Sequence, residues 1–169
     1  MSTPRIREAI EILSSAFSAE PAKARAKNAP ATARLNEGLR FEVTGPYNAR
    51  IVTDMPPAMG GTATGPNPGW FLRAALASCT ATAIAMRAAK LGITLDTLEL
   101  TVESESDTRG LLGIGDVSAA LGAVRTKVKI RGDATPEVLR DLAAWGDAHS
   151  PVGCTLRQSA DCSLDVEIV

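Results

Sequence analysis

Apolar residues recur every three or four positions near the start of the chain, at Ile6, Ile10, Leu13 and Phe17, with polar residues between them. That spacing predicts an amphipathic helix. Thr3 stands before it as a cap and Pro4 takes the first helical position, where a missing N–H costs nothing. The stretch EPAKARAKNAP (20–30) breaks the pattern, being polar, basic and bounded by prolines, and reads as a linker. LRFEVT (39–44) and ARIVTDM (49–55) have strand composition and are separated by Gly45, Pro46 and Asn48, which predicts a hairpin. PPAMGGTATGPNPG (56–69) holds too much glycine and proline for regular structure and is expected to be a loop. From Trp70 to Leu91 the chain is alanine-rich, free of internal glycine and proline, and stops at Gly92, the strongest helix signal present. Counting by threes and fours along it places Leu72, Ala75, Leu76, Cys79, Ala83 and Met86 on one face, the expected core stripe.

The second half alternates differently. ITLDTLELTVESES predicts a long strand with Leu95, Leu98, Leu100 and Val102 as core positions. A glycine-rich stretch (107–122) leads to a second strand, AVRTKVKIRG, in which Val124, Val128 and Ile130 share a face. Thr135-Pro136-Glu137 opens a helix running through Trp145, and HSPVGCTLRQ opens a short one. In DCSLDVEIV, Cys162, Leu164, Val166 and Ile168 alternate with Asp161, Ser163, Asp165 and Glu167, which predicts a closing strand. The fold class is α+β, divided as an N-terminal helix and linker (1–30) and a single domain (31–169).

Composition narrows the function. The chain has 169 residues and a formal net charge of -1, which gives no electrostatic case for nucleic acid or an anionic membrane. Lys23, Arg25 and Lys27 lie together without aromatics, so a solvated run is the simpler reading than a nucleic-acid arm. No run is expected to reach the roughly 18 apolar residues of a membrane helix. The charged N-terminus is unlike a signal peptide, and a cytoplasmic location is expected. Three widely spaced cysteines make no disulfide scaffold. His149, Cys154 and Cys162 lack the spacing of a metal site, and GIGDVS (113–118) lacks the third glycine and strand-to-helix context of a dinucleotide loop, so neither metal nor cofactor is expected.

Cys79 remains. On its face of the long helix it reads as a buried core thiol, yet its neighbours Ala75, Ala77, Ser78, Thr80 and Ala81 are small enough to leave room for another backbone or a ligand. The run PP-x-M-G-G-T-x-x-GPNP, followed by a helix carrying LRAALASCTATAIAM, a strand pair and a helix opening x-PV-x-x-TL, resembles the OsmC/Ohr family from about Leu39 onward. The resemblance implies an OsmC-like fold, with antiparallel sheets enclosing long central helices in an intertwined homodimer. It also implies a cysteine-based peroxidase that reduces organic hydroperoxides without metal or haem and is recycled by a dithiol reductant.

In such an enzyme the thiolate attacks the O–O bond and becomes a sulfenic acid, which a second thiol must trap before further oxidation. By the resemblance, Cys79 is the attacking residue. The family's glutamate after Asn67-Pro68 is replaced by Gly69-Trp70, and its later Cys-Pro by Ser150-Pro151. Cys154, one turn past Ser150, is the candidate replacement for the resolving thiol, with a core thiol as the alternative reading. Ser150 with Pro151 equally suits a helix cap. Arg50, Arg40 and Arg73 are the arginines that could support the thiolate, and Trp70 could close or line a pocket. His149, the only histidine, reads as a surface residue beside a helix start. Two functions follow: a hydroperoxide reductase for oxidative-stress defence, or a non-peroxidatic protein that binds a small apolar or thiol-reactive ligand at the dimer interface.

Overall fold

A computed structural model of the protein describes residues 3–158 and 160–169. The chain forms two compact units, one of Met1–Arg7, Leu76–Thr101 and Lys127–Val169, the other of Glu8–Ala75 and Val102–Thr126.

The second of these carries a three-stranded antiparallel meander of β1 (Thr32–Glu37), β2 (Arg40–Thr44) and β3 (Arg50–Thr53). The β2–β3 hairpin is the expected one, with Val43 opposite Ile51. Strand β1 has no strong sequence signal: TARLNE contains one large apolar residue, Leu35, and all six positions are exposed. It is a strand because β2 offers it a ladder, reached through Gly38 in a left-handed turn at φ +56. After β3 the loop closes around Asp54, which is only 2% exposed. Its carboxylate accepts from the amide and hydroxyl of Thr62 (3.2 and 2.7 Å), the amide and hydroxyl of Thr64 (3.0 and 2.9 Å) and the Met55 amide (2.7 Å). These donors, the Thr62 hydroxyl first, hold the carboxyl far below the usual carboxylate range. One 3-10 turn, Pro57–Met59, breaks the irregularity of this loop.

Helix α1 spans Thr3–Ala19; the cap expected of the Thr3 side chain lies outside the described residues. A 3-10 turn, Pro21–Ala24, lies in the linker. Helix α2 runs from Pro68 to Leu91 and ends, as expected, on Gly92 at φ +75. Arg7 from α1 reaches that end, its Nε donating to the Ala89 carbonyl at 3.2 Å. Strands β4 (Leu95–Glu105) and β5 (Gly122–Gly132) pair with each other. Cross-strand ion pairs Glu99–Lys129 and Glu105–Arg125 run in opposite senses, so the pair is antiparallel. The turn of α3 (Thr108–Leu111), capped by Asp107, lies between them. Helix α4 (Pro136–Ala148) is capped by Thr135, and α5 (Pro151–Arg157) by Ser150. The core of the first unit is Ile84, Ala88 and Leu142, with Leu95, Leu98 and Leu100 of β4 and Val128 and Ile130 of β5 packed around it.

Three expectations are corrected. The buried stripe of α2 is Leu76, Thr80, Ala83, Ile84, Ala88 and Ala89, while Ala75 and Met86 are exposed. Alanine is apolar all round the helix, so periodicity alone does not say which side α4 will cover. The closing strand does not form: residues 160–169 have no regular structure, and Leu164, Val166 and Ile168 are exposed. Their alternation suits a strand, but a strand needs a neighbour to complete its hydrogen bonds. Finally, α2 is long and apolar enough to cross a membrane by length and composition, with a best mean hydropathy of 1.2. Alanine supplies that hydropathy, and the helix buries one stripe in the core described above.

Candidate active site

Cys79 sits half-buried on α2, three residues past buried Leu76 and directly before buried Thr80. It opens into a cavity of 470 Å³. Ser78, Thr82, Ala83 and Met86 of α2 form one wall, and Trp145, His149 and Pro151 from the α4–α5 corner form the other. The walls are mostly apolar.

Two glycines set the helices that build this corner. Gly146 of α4 is buried against α2, and a Cβ there would collide with Ile84 Cγ1. Gly153 of α5 is also buried, and a Cβ would lie 3.4 Å from Leu76 Cδ1. Only glycine allows the α4 backbone so close to α2 at Gly146, whereas at Gly153 the distance to Leu76 is an ordinary contact. Trp145 precedes the first of these contacts and is thereby carried over the Cys79 face. His149 ends α4: its backbone N–H donates to the Trp145 carbonyl at 3.0 Å and its Nδ1 lies 2.8 Å from the same oxygen. The imidazole stacks on the Trp145 indole, centroids 3.9 Å apart and planes 10° from parallel. Arg87, two turns past Cys79, places its guanidinium carbon 5.1 Å from the Trp145 ring centroid, a cation–π distance.

The remaining sequence-derived residues fall as follows. Ser150 is fully buried and accepts from the Gly153 amide at 3.2 Å, so its role in the structure is that of a helix cap. Cys154 is a free thiol whose Sγ donates to the Ala148 carbonyl at 3.2 Å, and it is not among the residues lining the Cys79 cavity. Arg157 approaches its sulfur at 3.9 Å and pairs with Asp147 at 3.1 Å. The contact with Cys154, followed by Asp147, raises the Arg157 guanidinium above its ordinary value. Trp70 lies in the first turn of α2, its amide bonded to Asn67 Oδ1 at 2.9 Å and its ring edge-on to Phe71. Arg50 pairs with Glu42 across the β2–β3 ladder at 2.9 Å. Arg73 donates to Ser104 at 3.1 Å. Arg40 lines a cavity of 330 Å³ together with Glu37 and Asp54. None of Arg50, Arg73 and Arg40 lines the Cys79 cavity.

Sequence reasoning missed Trp145 and His149 as wall residues. The signal was present: they are four apart, hence on one face of α4, and His149 immediately precedes the Ser150-Pro151 cap that turns the chain back along α2.

An antiparallel meander, a long helix carrying a cysteine, a paired-strand sheet and two short helices closing an apolar cavity over that cysteine define an α+β thiol protein. The chain belongs to the OsmC-like protein family, whose model matches residues 61–165. An OsmC-like protein from Mycoplasma pneumoniae matches with a TM-score of 0.67 at 20% identity, over 80% of this chain and 91% of that one. An organic hydroperoxide resistance protein OsmC from Legionella pneumophila matches at 0.62 and 22% identity, over 79% and 91%. The organic hydroperoxide resistance protein OhrB of Bacillus subtilis matches at 0.53 and 21% identity, over 80% and 94%. At these identities the likeness is one of fold. No curated protein sequence matches the chain.

Proposed function

We propose that this protein is a thiol peroxidase that reduces organic hydroperoxides through Cys79. The observation that carries the reading is the opening of the Cys79 side chain into a mostly apolar cavity large enough for a bulky organic substrate. Membership of the OsmC-like family supports it, as does the likeness to proteins named for organic hydroperoxide resistance. The Cys79 sulfur attacks the terminal peroxide oxygen, the O–O bond breaks, an alcohol leaves, and the sulfur becomes a sulfenic acid. Cys154 lies outside the cavity and is held by Ala148, so the sulfenic acid is returned to a thiol by an external dithiol. Such a reductant is available in the reducing cytoplasm, where the protein acts.

The working form is a homodimer. The chain exposes 12346 Å² of surface. A folded monomer of this mass exposes about 7,900 Å², and two separate domains of half the mass about 9,500 Å². Among the described residues, the buried hydrophobic ones, Leu76, Ala83, Ile84, Ala88, Ala89 and Leu142, all lie in one unit. The other, which holds the β1–β3 meander, has no fully buried apolar side chain among the described residues, and a second copy supplies the missing cover.

The reading is tested by counting free thiols before and after one equivalent of cumene hydroperoxide, in wild type and in Cys79→Ser. One thiol lost per chain, and none in the variant, is the expected outcome. Two lost would transfer resolution to Cys154. No loss beyond that of free cysteine would leave a ligand-binding protein in place of an enzyme.

A further inference from the structure

The peroxidase chemistry needs a group that takes the Cys79 proton, and a thiol that keeps its proton is a poor nucleophile. Among the residues lining the cavity, His149 is the only base. Its orientation is fixed by the Trp145 carbonyl, which can only accept, so Nδ1 carries the hydrogen in that 2.8 Å bond. In neutral histidine the lone pair then lies on Nε2, and His149 lines the same cavity as Cys79. The ring is held by its stack on Trp145 and by its Nδ1 bond to the Trp145 carbonyl, and its backbone is fixed by the bond to that same carbonyl. A residue serving only as a helix C-cap needs neither the stack nor the single tautomer.

We propose that His149 is the proton acceptor and donor for Cys79, an assignment that rests on the peroxidase reading above. Nε2 takes the thiol proton, directly or through one water. The thiolate displaces alkoxide from the terminal oxygen of the hydroperoxide and gains OH as a sulfenic acid. The alkoxide takes the proton back from the imidazolium and leaves as the alcohol. Sulfur loses two electrons, the O–O bond receives them, and His149 ends neutral, ready for the next turnover once the dithiol has returned the sulfenic acid to thiol with loss of water. Among the described residues, four charged or titratable groups besides Cys154 bear on His149. Cys79 faces it across the cavity, and Arg87 meets the same indole from α2. On its own corner Asp147 is paired with Arg157, which also contacts Cys154.

The test uses the full-length protein with His149→Phe, which keeps an aromatic ring over Trp145, and His149→Ala, which leaves a space. Two rates are followed across pH: consumption of cumene hydroperoxide, and alkylation of Cys79 by iodoacetamide, read by mass spectrometry. Both should fall about 100-fold at neutral pH in His149→Phe and lose a pH-dependent limb that wild type shows. Added imidazole should restore part of the rate in His149→Ala only. If His149→Phe consumes hydroperoxide at the wild-type rate with the wild-type pH profile, the proposal is overturned. If alkylation depends on His149 but no hydroperoxide is consumed, the proton transfer stands and the peroxidase reading fails. Should His149→Phe lose its far-UV circular dichroism, His149→Gln, whose amide can still donate to the Trp145 carbonyl, takes its place in both measurements.

Discussion

The indole of Trp145 and the imidazole of His149 lie face to face, 3.9 Å apart and 10° from parallel, with Nδ1 of the histidine on the carbonyl of the same tryptophan. One residue thus supplies both the surface on which the histidine rests and the acceptor that orients it. Replacing the indole by alanine removes the stack and much of one cavity wall. Trp145→Ala should cost about 2 kcal/mol in urea denaturation, whereas Trp145→Phe, which keeps a stacking ring, should cost less than about 1 kcal/mol. Equal losses for the two would show that the stack contributes nothing.

Gly146 places this corner on α2. A methyl group there has no room beside Ile84, so Gly146→Ala should destabilise by about 2 kcal/mol even though alanine is the better helix former. Shortening the obstacle should recover part of the loss: the double variant with Ile84→Ala should be more stable than the two single costs summed. Simple additivity in thermal unfolding would refute close α2–α4 packing at this point.

At the far end of α2, Gly92 adopts φ +75 and the Arg7 guanidinium fills the space where a side chain would stand. Gly92→Ala therefore meets both backbone strain and a collision, and should cost about 2 kcal/mol. Arg7→Ala loses the bond to the Ala89 carbonyl and a positive charge at a helix C-terminus, together about 1 kcal/mol. Combining them should cost less than the sum, because without Arg7 the alanine methyl meets only strain. Chemical denaturation of the three variants decides this.

Asp54 predicts an acid-sensitive element. Its hydrogen bonds depress its affinity for a proton below that of an unfolded aspartate, near 3.9. On acidification the unfolded chain is protonated first, so the stabilisation is complete at neutral pH and is lost as pH falls below about 4. Asp54→Asn should lower the melting temperature at pH 7, since an amide nitrogen cannot accept from Thr62 or Thr64. The gap between variant and wild type should narrow toward pH 3. A gap independent of pH would rule out the charged carboxylate as the source.

Most elements were legible in the sequence because each carried its own signal. Proline at the first position of α4 and α5, glycine after α2, and alternation in β4 and β5 all act locally. What was not legible depends on neighbours. Strand β1 exists through its pairing with β2, and the segment 160–169 alternates correctly but has no ladder to join. The face of α2 was misassigned because alanine marks no side of a helix, leaving α4 and its Gly146 contact to decide. Cys79 was visible through its motif, whereas Trp145 and His149 entered the cavity only through the α4–α5 turn. Cys154, one turn beyond the cap, was placed by sequence near the chemistry, and the structure turns its sulfur to Ala148.

The central claim is that Cys79 in its cavity is a peroxide-reducing thiol. The most direct measurement is the second-order rate constant for oxidation of Cys79 by cumene hydroperoxide, with the sulfenic acid trapped by dimedone and located by mass spectrometry. The account predicts oxidation at least about 1,000-fold faster than free cysteine, about 4 kcal/mol of barrier, with the adduct on Cys79 and none in Cys79→Ser. A rate equal to that of free cysteine, or an adduct confined to Cys154 or Cys162, would contradict it.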